Sequence, residues 1–319
     1  MEEMVKTKNI ELGRFEKKNT IRAILPVMGL VLVFVVFNLL TNWQLVANLD
    51  LTLSQAYVII ISATGVFFIM TMGGLDFSQG SILGLASIVV CAVSKTNMIL
   101  AILAGILTGA AVGAFNGFFY VQRKISSFIV TICSMFLFRG LIKYLTTNAP
   151  IAGSASLIFY DSVPIKLGCT LLVVVLGFMV FRFTKFGIHL KAIGAGERAA
   201  AFSGINVNRT KFLIYVLAGA ITGLAAFINV VKVGSVTSSA GNQLETQILI
   251  ALVLGGLPIT GGARVRFENI LVGSLLYSFL SSGLIMLGFS TQMMQLIQGV
   301  VFLAFVALFA DRSSLQVIK

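Results

Sequence analysis

The chain has few residues with which to do chemistry on its own. Its 319 residues include one histidine, His189, and three cysteines, Cys91, Cys133 and Cys169, with no close spacing among them. No His, Cys or carboxylate cluster offers a ligand set for zinc or a metal pair. No G-x-x-x-x-G-K-[ST] phosphate loop occurs, so any ATP hydrolysis must be supplied by another protein. No catalytic residue, metal or cofactor is expected, and the cysteines read as buried small hydrophobes. Charge is scarce too: 11% of residues are charged, against ~25% in an average soluble domain. In its place stand 58% hydrophobic residues and a mean hydropathy of +1.01. One or two soluble cores could not bury that much apolar surface. Soluble enzymes, nucleic-acid modules and secreted disulfide domains are excluded, and an integral membrane protein is left.

A transmembrane helix needs roughly 20 apolar residues. Charge-free runs cover 23–49, 51–75, 77–94, 96–122, 125–138, 167–181, 212–231, 246–263 and 269–310. The last is long enough for two helices with a turn near Gly288-Phe289-Ser290. The short runs at 125–138 and 167–181 extend through Arg139 and Arg182, whose basic ends snorkel to the interface. The strand alternation of an outer-membrane barrel is absent. The expected fold is an all-α integral membrane protein of about ten transmembrane helices.

An even number of spans puts both termini on one side. If that side is the cytoplasm, the inside segments carry 18 of the 23 Lys+Arg. Lys95, Arg139, Lys143, Lys166 and Lys232 remain outside. Positive-inside bias therefore orients the chain with cytoplasmic ends, and the net charge of +12 reflects topology. No basic patch suited to nucleic acid forms. The expected organisation is a cytoplasmic N-terminal tail (1–22), a single transmembrane domain (23–311) and a cytoplasmic C-terminal tail (312–319). The main inside loop is 182–211. The first run is long enough to span, so a retained helix is expected there and not a cleaved signal peptide. Helices 2–5 begin outside and helices 7–10 inside, so any repeat relating them is inverted.

Three local patterns stand out. Gly105, Gly109, Gly113 and Gly117 recur every fourth residue, a stripe that lets helices approach closely in lipid; a solute path along the face carrying Asn116 is the other reading. The segment Gly73-Gly74-Leu75-Asp76-Phe77-Ser78-Gln79-Gly80-Ser81 breaks the backbone between two apolar runs. Asp76 suits an N-cap for the helix that follows, with Gln79 at the capping-box position. An acid at membrane depth also suggests direct solute contact. The inside loop contains Gly194-Ala195-Gly196-Glu197-Arg198-Ala199, which matches a dinucleotide fingerprint in letters alone, with no strand before it and no acid at the required distance. A short Ala-rich helix from about Glu197 to Ser203, ended by Gly204, fits better.

The Gly-Gly-Leu-Asp-Phe-Ser-x-Gly segment resembles the signature of the permease subunits of ribose-type sugar ABC importers. The loop from Ala192 to Val207 resembles their second block, Leu254-Gly255-Gly256 with Gly261-Gly262 a third, and Phe138-Arg139-Gly140 a fourth. The resemblance runs from about residue 25 to Asp311. It implies a permease subunit in the cell membrane that forms the path for a monosaccharide, a ribose-like pentose or a hexose. It also implies three partners: a cytoplasmic ATPase, an external solute-binding protein and a second permease copy, identical or paralogous. Membrane lipid surrounds them. The inside loop becomes the coupling element, with Gly194, Glu197, Arg198, Ala199, Ala200, Gly204 and Ile205 at the ATPase contact. Asp76, Ser78, Gln55 and Asn116 are the candidate pathway residues, with Tyr57, Thr222 and Asn229 as further polar candidates. A nucleoside or furanose-type autoinducer permease of the same fold, or an ion-coupled transporter, are the alternatives.

Overall fold

The computed structural model describes residues 24–263 and 265–309. The two expected tails, 1–22 and 312–319, lie outside the described residues. The described chain is built almost wholly of α-helices, linked by short turns. Six helices are long and apolar enough to cross a membrane: α3 (Leu49–Thr71), α5 (Met98–Gln122), α6 (Ser127–Leu145), α7 (Val163–Phe183), α10 (Val207–Val233) and α12 (Asn269–Met286). Four shorter apolar helices accompany them: α1 (Ile24–Leu40), α4 (Gln79–Ser94), α11 (Leu244–Leu254) and α13, apolar over Thr291–Ala307. The remaining helices, α2 (Gln44–Ala47), α8 (Lys185–Ala195) and α9 (Glu197–Phe202), are connectors.

The first charge-free run is not one helix. It ends at Leu40, turns through the left-handed residues Asn42 and Trp43, and resumes as α2. The buried Asn38 causes the break: its Oδ1 accepts from the Val46 amide at 3.1 Å, offering the backbone a partner outside the helical ladder. The long last run divides as expected, between α12 and α13, at Gly288 with φ 78°. On the expected outer side, Ile151–Ala152 pairs antiparallel with Ser235–Val236, tying the loop after α6 to the end of α10. Cys91 is buried as expected, but Cys133 is exposed on α6.

The core is centred on α3, which is buried on nearly every face. A helix apolar all round has no solvent side to present, and α10, α12, α7 and α11 enclose this one. Near its C-terminal end Phe67 meets Phe181 and Phe267 edge-on, with centroids 4.9 and 5.3 Å apart.

The glycine stripe of α5 packs against α10, the most extensive helix pair in the molecule. A methyl group on Gly109 would strike the Gly219 carbonyl, and one on Gly113 the Tyr215 carbonyl. The relation is reciprocal: Gly219 and Gly223 of α10 meet the carbonyls of Gly109 and Gly105. Gly117 extends the contact to Phe212.

Candidate functional site at two helix N-termini

Helix α3 stops because Gly73 turns left-handed (φ 82°), with Gly73 and Gly74 amides returning to the Met70 and Ile69 carbonyls at 2.9 and 3.1 Å. The chain then runs without regular structure to α4. Asp76 is not the N-cap of α4; that residue is Ser78, which makes no side-chain cap bond. Asp76 acts from two residues earlier. Its Oδ1 accepts from the Ser78 amide (2.8 Å) and hydroxyl (2.5 Å), and its Oδ2 from the Gln79 amide nitrogen (2.6 Å).

The network continues outward from these residues. The side-chain amide of Asn116 on α5 donates to the Ser78 hydroxyl at 2.8 Å, and Thr222 on α10 donates to the Gln79 carbonyl oxygen. Asp76, Ser78, Gln79, Asn116 and Thr222 are all fully buried. Three of the four candidate pathway residues are thus joined, in a cluster that ties α4 to α5 and α10. In a buried, low-dielectric setting these bonds tie the three helices firmly to one another. Asn116 Oδ1 has no hydrogen-bond partner.

Thr222 lies near the middle of the 27-residue α10, so α4 begins about half-way along its neighbour. The 11-residue α11 begins at the same place. A methyl on Gly80 would strike both the Gly241 carbonyl and the Glu245 carboxylate, so the first turns of α4 and α11 meet at Gly80. Gly241 (φ 69°) and Gln243 (φ 65°) bend the entry into α11. Glu245, in the first turn of α11 and 5% exposed, forms a 2.6 Å ion pair with Arg139. Arg139 lies within α6, which continues to Leu145. Both carboxylates, Asp76 and Glu245, stand at helix N-termini, where the helix dipole favours negative charge. Among the described residues no three His, Cys, Asp or Glu side chains come close enough to share a metal ion.

Gln55 is separate from this network. It opens instead on a cavity of about 250 Å³ lined by Asn229, Lys232, Asn242 and Gln247. Leu83 of α4 and Gly241 also line it, so its wall reaches the α4–α11 junction. Side-chain amides bring donors and acceptors together, the chemistry that hydroxyl groups require. Tyr57 is buried in the core.

The inside loop folds as α8 and α9, and α9 spans Glu197–Phe202 with Gly204 at φ 82° just beyond it. Lys211 of α10 pairs with Glu197 at 2.7 Å and pins α9 in place. Arg198, Ala199 and Gly204 are exposed, Ile205 is half-buried, and Phe202 is 92% exposed. Ala200, in contrast, is 3% exposed and faces the chain's own core, so it adds nothing to an outward surface.

Residues 48–306 match the family described as the branched-chain amino acid transport system / permease component. The chain belongs to this permease family. The permease is 32% identical to the ribose import permease protein RbsC of Escherichia coli (strain K12), over 86% of its own length and 89% of the relative's. It is 32% identical to RbsC of Bacillus subtilis (strain 168), over 90% and 92%. To the galactofuranose transporter permease protein YtfT of Escherichia coli (strain K12) it is 30% identical, over 79% and 76%. No solved structure matches it.

The family-like segments of the permease meet in space. The Gly262 amide donates to the Thr71 carbonyl at 3.0 Å, and Gly194 of α8 packs where any side chain would strike that same carbonyl. Gly261 lies against Met70 and Gly73. The end of α3, the inside loop and the segment after α11 are thereby joined backbone to backbone. The sequence indicated each segment but not Glu245, whose partner Arg139 is 106 residues away.

Proposed function

We propose that the permease forms the membrane path of an ABC importer for a monosaccharide of the ribose-like pentose or hexose class. A separate cytoplasmic ATPase supplies the energy, an external binding protein delivers the sugar, and a second permease copy completes the unit. The supporting observation is the family match over residues 48–306, together with relatives named for the import of ribose, galactofuranose and allose.

In this proposal the six long and four shorter apolar helices serve as ten spans, with both termini cytoplasmic. Two sets of four helices, α3–α6 and α10–α13, fit an inverted repeat. In each the second helix is short and entered through a glycine bend, the pattern that marks a transporter's central site. Gly113 of α5 and Gly273 of α12, at matching places in the two sets, both pack against a neighbour's backbone. The sugar dwells in the outer cavity at Gln55, Asn229 and Gln247 and passes inward when the α4–α11 junction parts. The Asp76–Ser78–Asn116 network holds the junction in its present arrangement.

Proteoliposomes carrying the permease, its ATPase and its binding protein test this reading by uptake of labelled sugar. Asn229→Leu should lower uptake several-fold while the protein melts normally. Unchanged uptake would remove the cavity from the path. An impermeant thiol reagent should label Ala155→Cys from outside intact cells; labelling only after permeabilisation would overturn the orientation.

A further inference from the structure

A second cavity, of about 440 Å³, lies at the opposite end of the molecule from Gln55, where α1, α7, α8 and the start of α12 come together. Three cations line it: Arg182 from the last turn of α7, Lys191 from α8 and Arg266 just before α12. Among the described residues, Glu268 is the one carboxylate on its wall. Among the described residues, no ion pair engages Arg182, Lys191 or Arg266. Lys191 rests on the Phe181 ring, 4.3 Å from its centroid, and its ammonium group is held towards the cavity without a carboxylate. Among the described residues, the cavity wall thus carries two more cations than carboxylates.

The surroundings say which anion. Leu171, Val175 and Met179 form an exposed apolar row at successive turns of α7, and the row runs directly to Arg182. Val27, Val31 and Val35 form a similar exposed row on α1, whose Val27 also lines the cavity. Each row is half or more exposed or close to it, as helix faces in contact with lipid tails must be. A headgroup in the cavity would lead its acyl chains along these rows. A soluble phosphate would use the cations and leave the rows idle. Basic pockets between transmembrane helices on the cytoplasmic side suit anionic headgroups.

We propose that this cavity binds the phosphate of an anionic phospholipid, with Arg182 and Arg266 as its principal ligands and Lys191 as the third. Arg offers planar paired donors that match phosphate oxygens. Assignment to the inner leaflet rests on the proposed orientation of the permease; the binding itself does not.

The test is a displacement titration of a fluorescent phosphatidylglycerol from the purified full-length permease, with phosphatidylglycerol, phosphatidylcholine and inorganic phosphate as competitors. Phosphatidylglycerol should displace the probe, while the other two should not at equal concentration. Arg182→Gln with Arg266→Gln should weaken binding about 25-fold, near fivefold per cation removed. Arg182→Lys with Arg266→Lys should keep most of the preference, and Lys95→Gln with Lys143→Gln should keep all of it. Equal displacement by phosphatidylcholine would overturn the proposal, as would displacement by inorganic phosphate, which would mark a free-anion site. So would a Gln pair that binds lipid normally yet loses its ATPase on co-purification, which would make the surface a protein contact. A melting curve on each variant separates lost binding from lost folding.

Discussion

Arg139 on α6 and Glu245 on α11 form an ion pair of 2.6 Å across the mouth of α4, with the glutamate almost wholly buried. Removing either partner leaves the other charged in an apolar setting, a cost of about 3–5 kcal/mol for a buried pair. Arg139→Met or Glu245→Leu alone should therefore lower the melting temperature of the purified permease sharply. The two together should recover most of it. A double variant no better than the worse single one would mean that the pair is tied into further contacts.

Asp76 offers a sharper test than its position before a helix suggests. Both its oxygens accept hydrogen bonds, and Asn has only one acceptor to give. In Asp76→Asn the new amide faces the Gln79 amide, donor against donor. The expected loss is about 1–3 kcal/mol, the cost of an unmade buried bond. Adding Gln79→Glu supplies an acceptor to both Asn and Thr222, and should restore part of the loss in thermal melts. An ordinary capping residue would show neither effect.

Among the glycines, Gly109→Ala and Gly219→Ala drive a methyl into a facing carbonyl, and overpacking of this kind typically costs ~1–3 kcal/mol or more. Gly140, in helix α6, has nothing within 4 Å of an added Cβ. Gly140→Ala should leave stability unchanged or raise it by up to about 1 kcal/mol. Equal effects at the three sites, read by melting in detergent, would contradict the close α5–α10 approach.

The inside loop can be tested at its exposed tip. Phe202→Ala removes the most exposed large side chain of α9 and touches no core contact, so melting should be unaffected while recovery of the ATPase falls. Ala200→Trp should do the reverse and destabilise the permease itself, because Ala200 is buried in its own chain. Co-purification with the ATPase beside a melting curve checks both.

Helix positions were largely legible because an apolar run without charge has one interpretation in lipid. Even the short α9 and the turn at Gly288 followed from Gly and Ala placement. The break after Leu40 was hidden, since Asn38 and Trp43 reveal a turn only once the Asn38 side chain finds the Val46 amide. The stripe on α5 was visible, but its match on α10, Gly219 and Gly223, carries one four-residue step and no longer period. Asp76, Ser78 and Asn116 were singled out as polar residues in apolar runs. That they bond to each other and exclude Gln55 depends on how α4, α5 and α10 cross. Glu245 escaped notice because it borders a charge-free run, where an acid reads as the edge of a span.

The contact of Gly109 with Gly219 has a mechanical consequence. Helices α5 and α10 meet along a run of direct backbone contacts, with Gly105, Gly109 and Gly113 against Gly223, Gly219 and Tyr215. Two backbones in direct contact have no rotamers to exchange and no soft layer to compress. Such a seam holds α5 and α10 as one unit: they can move together, but they cannot slide past each other without a shift of backbone.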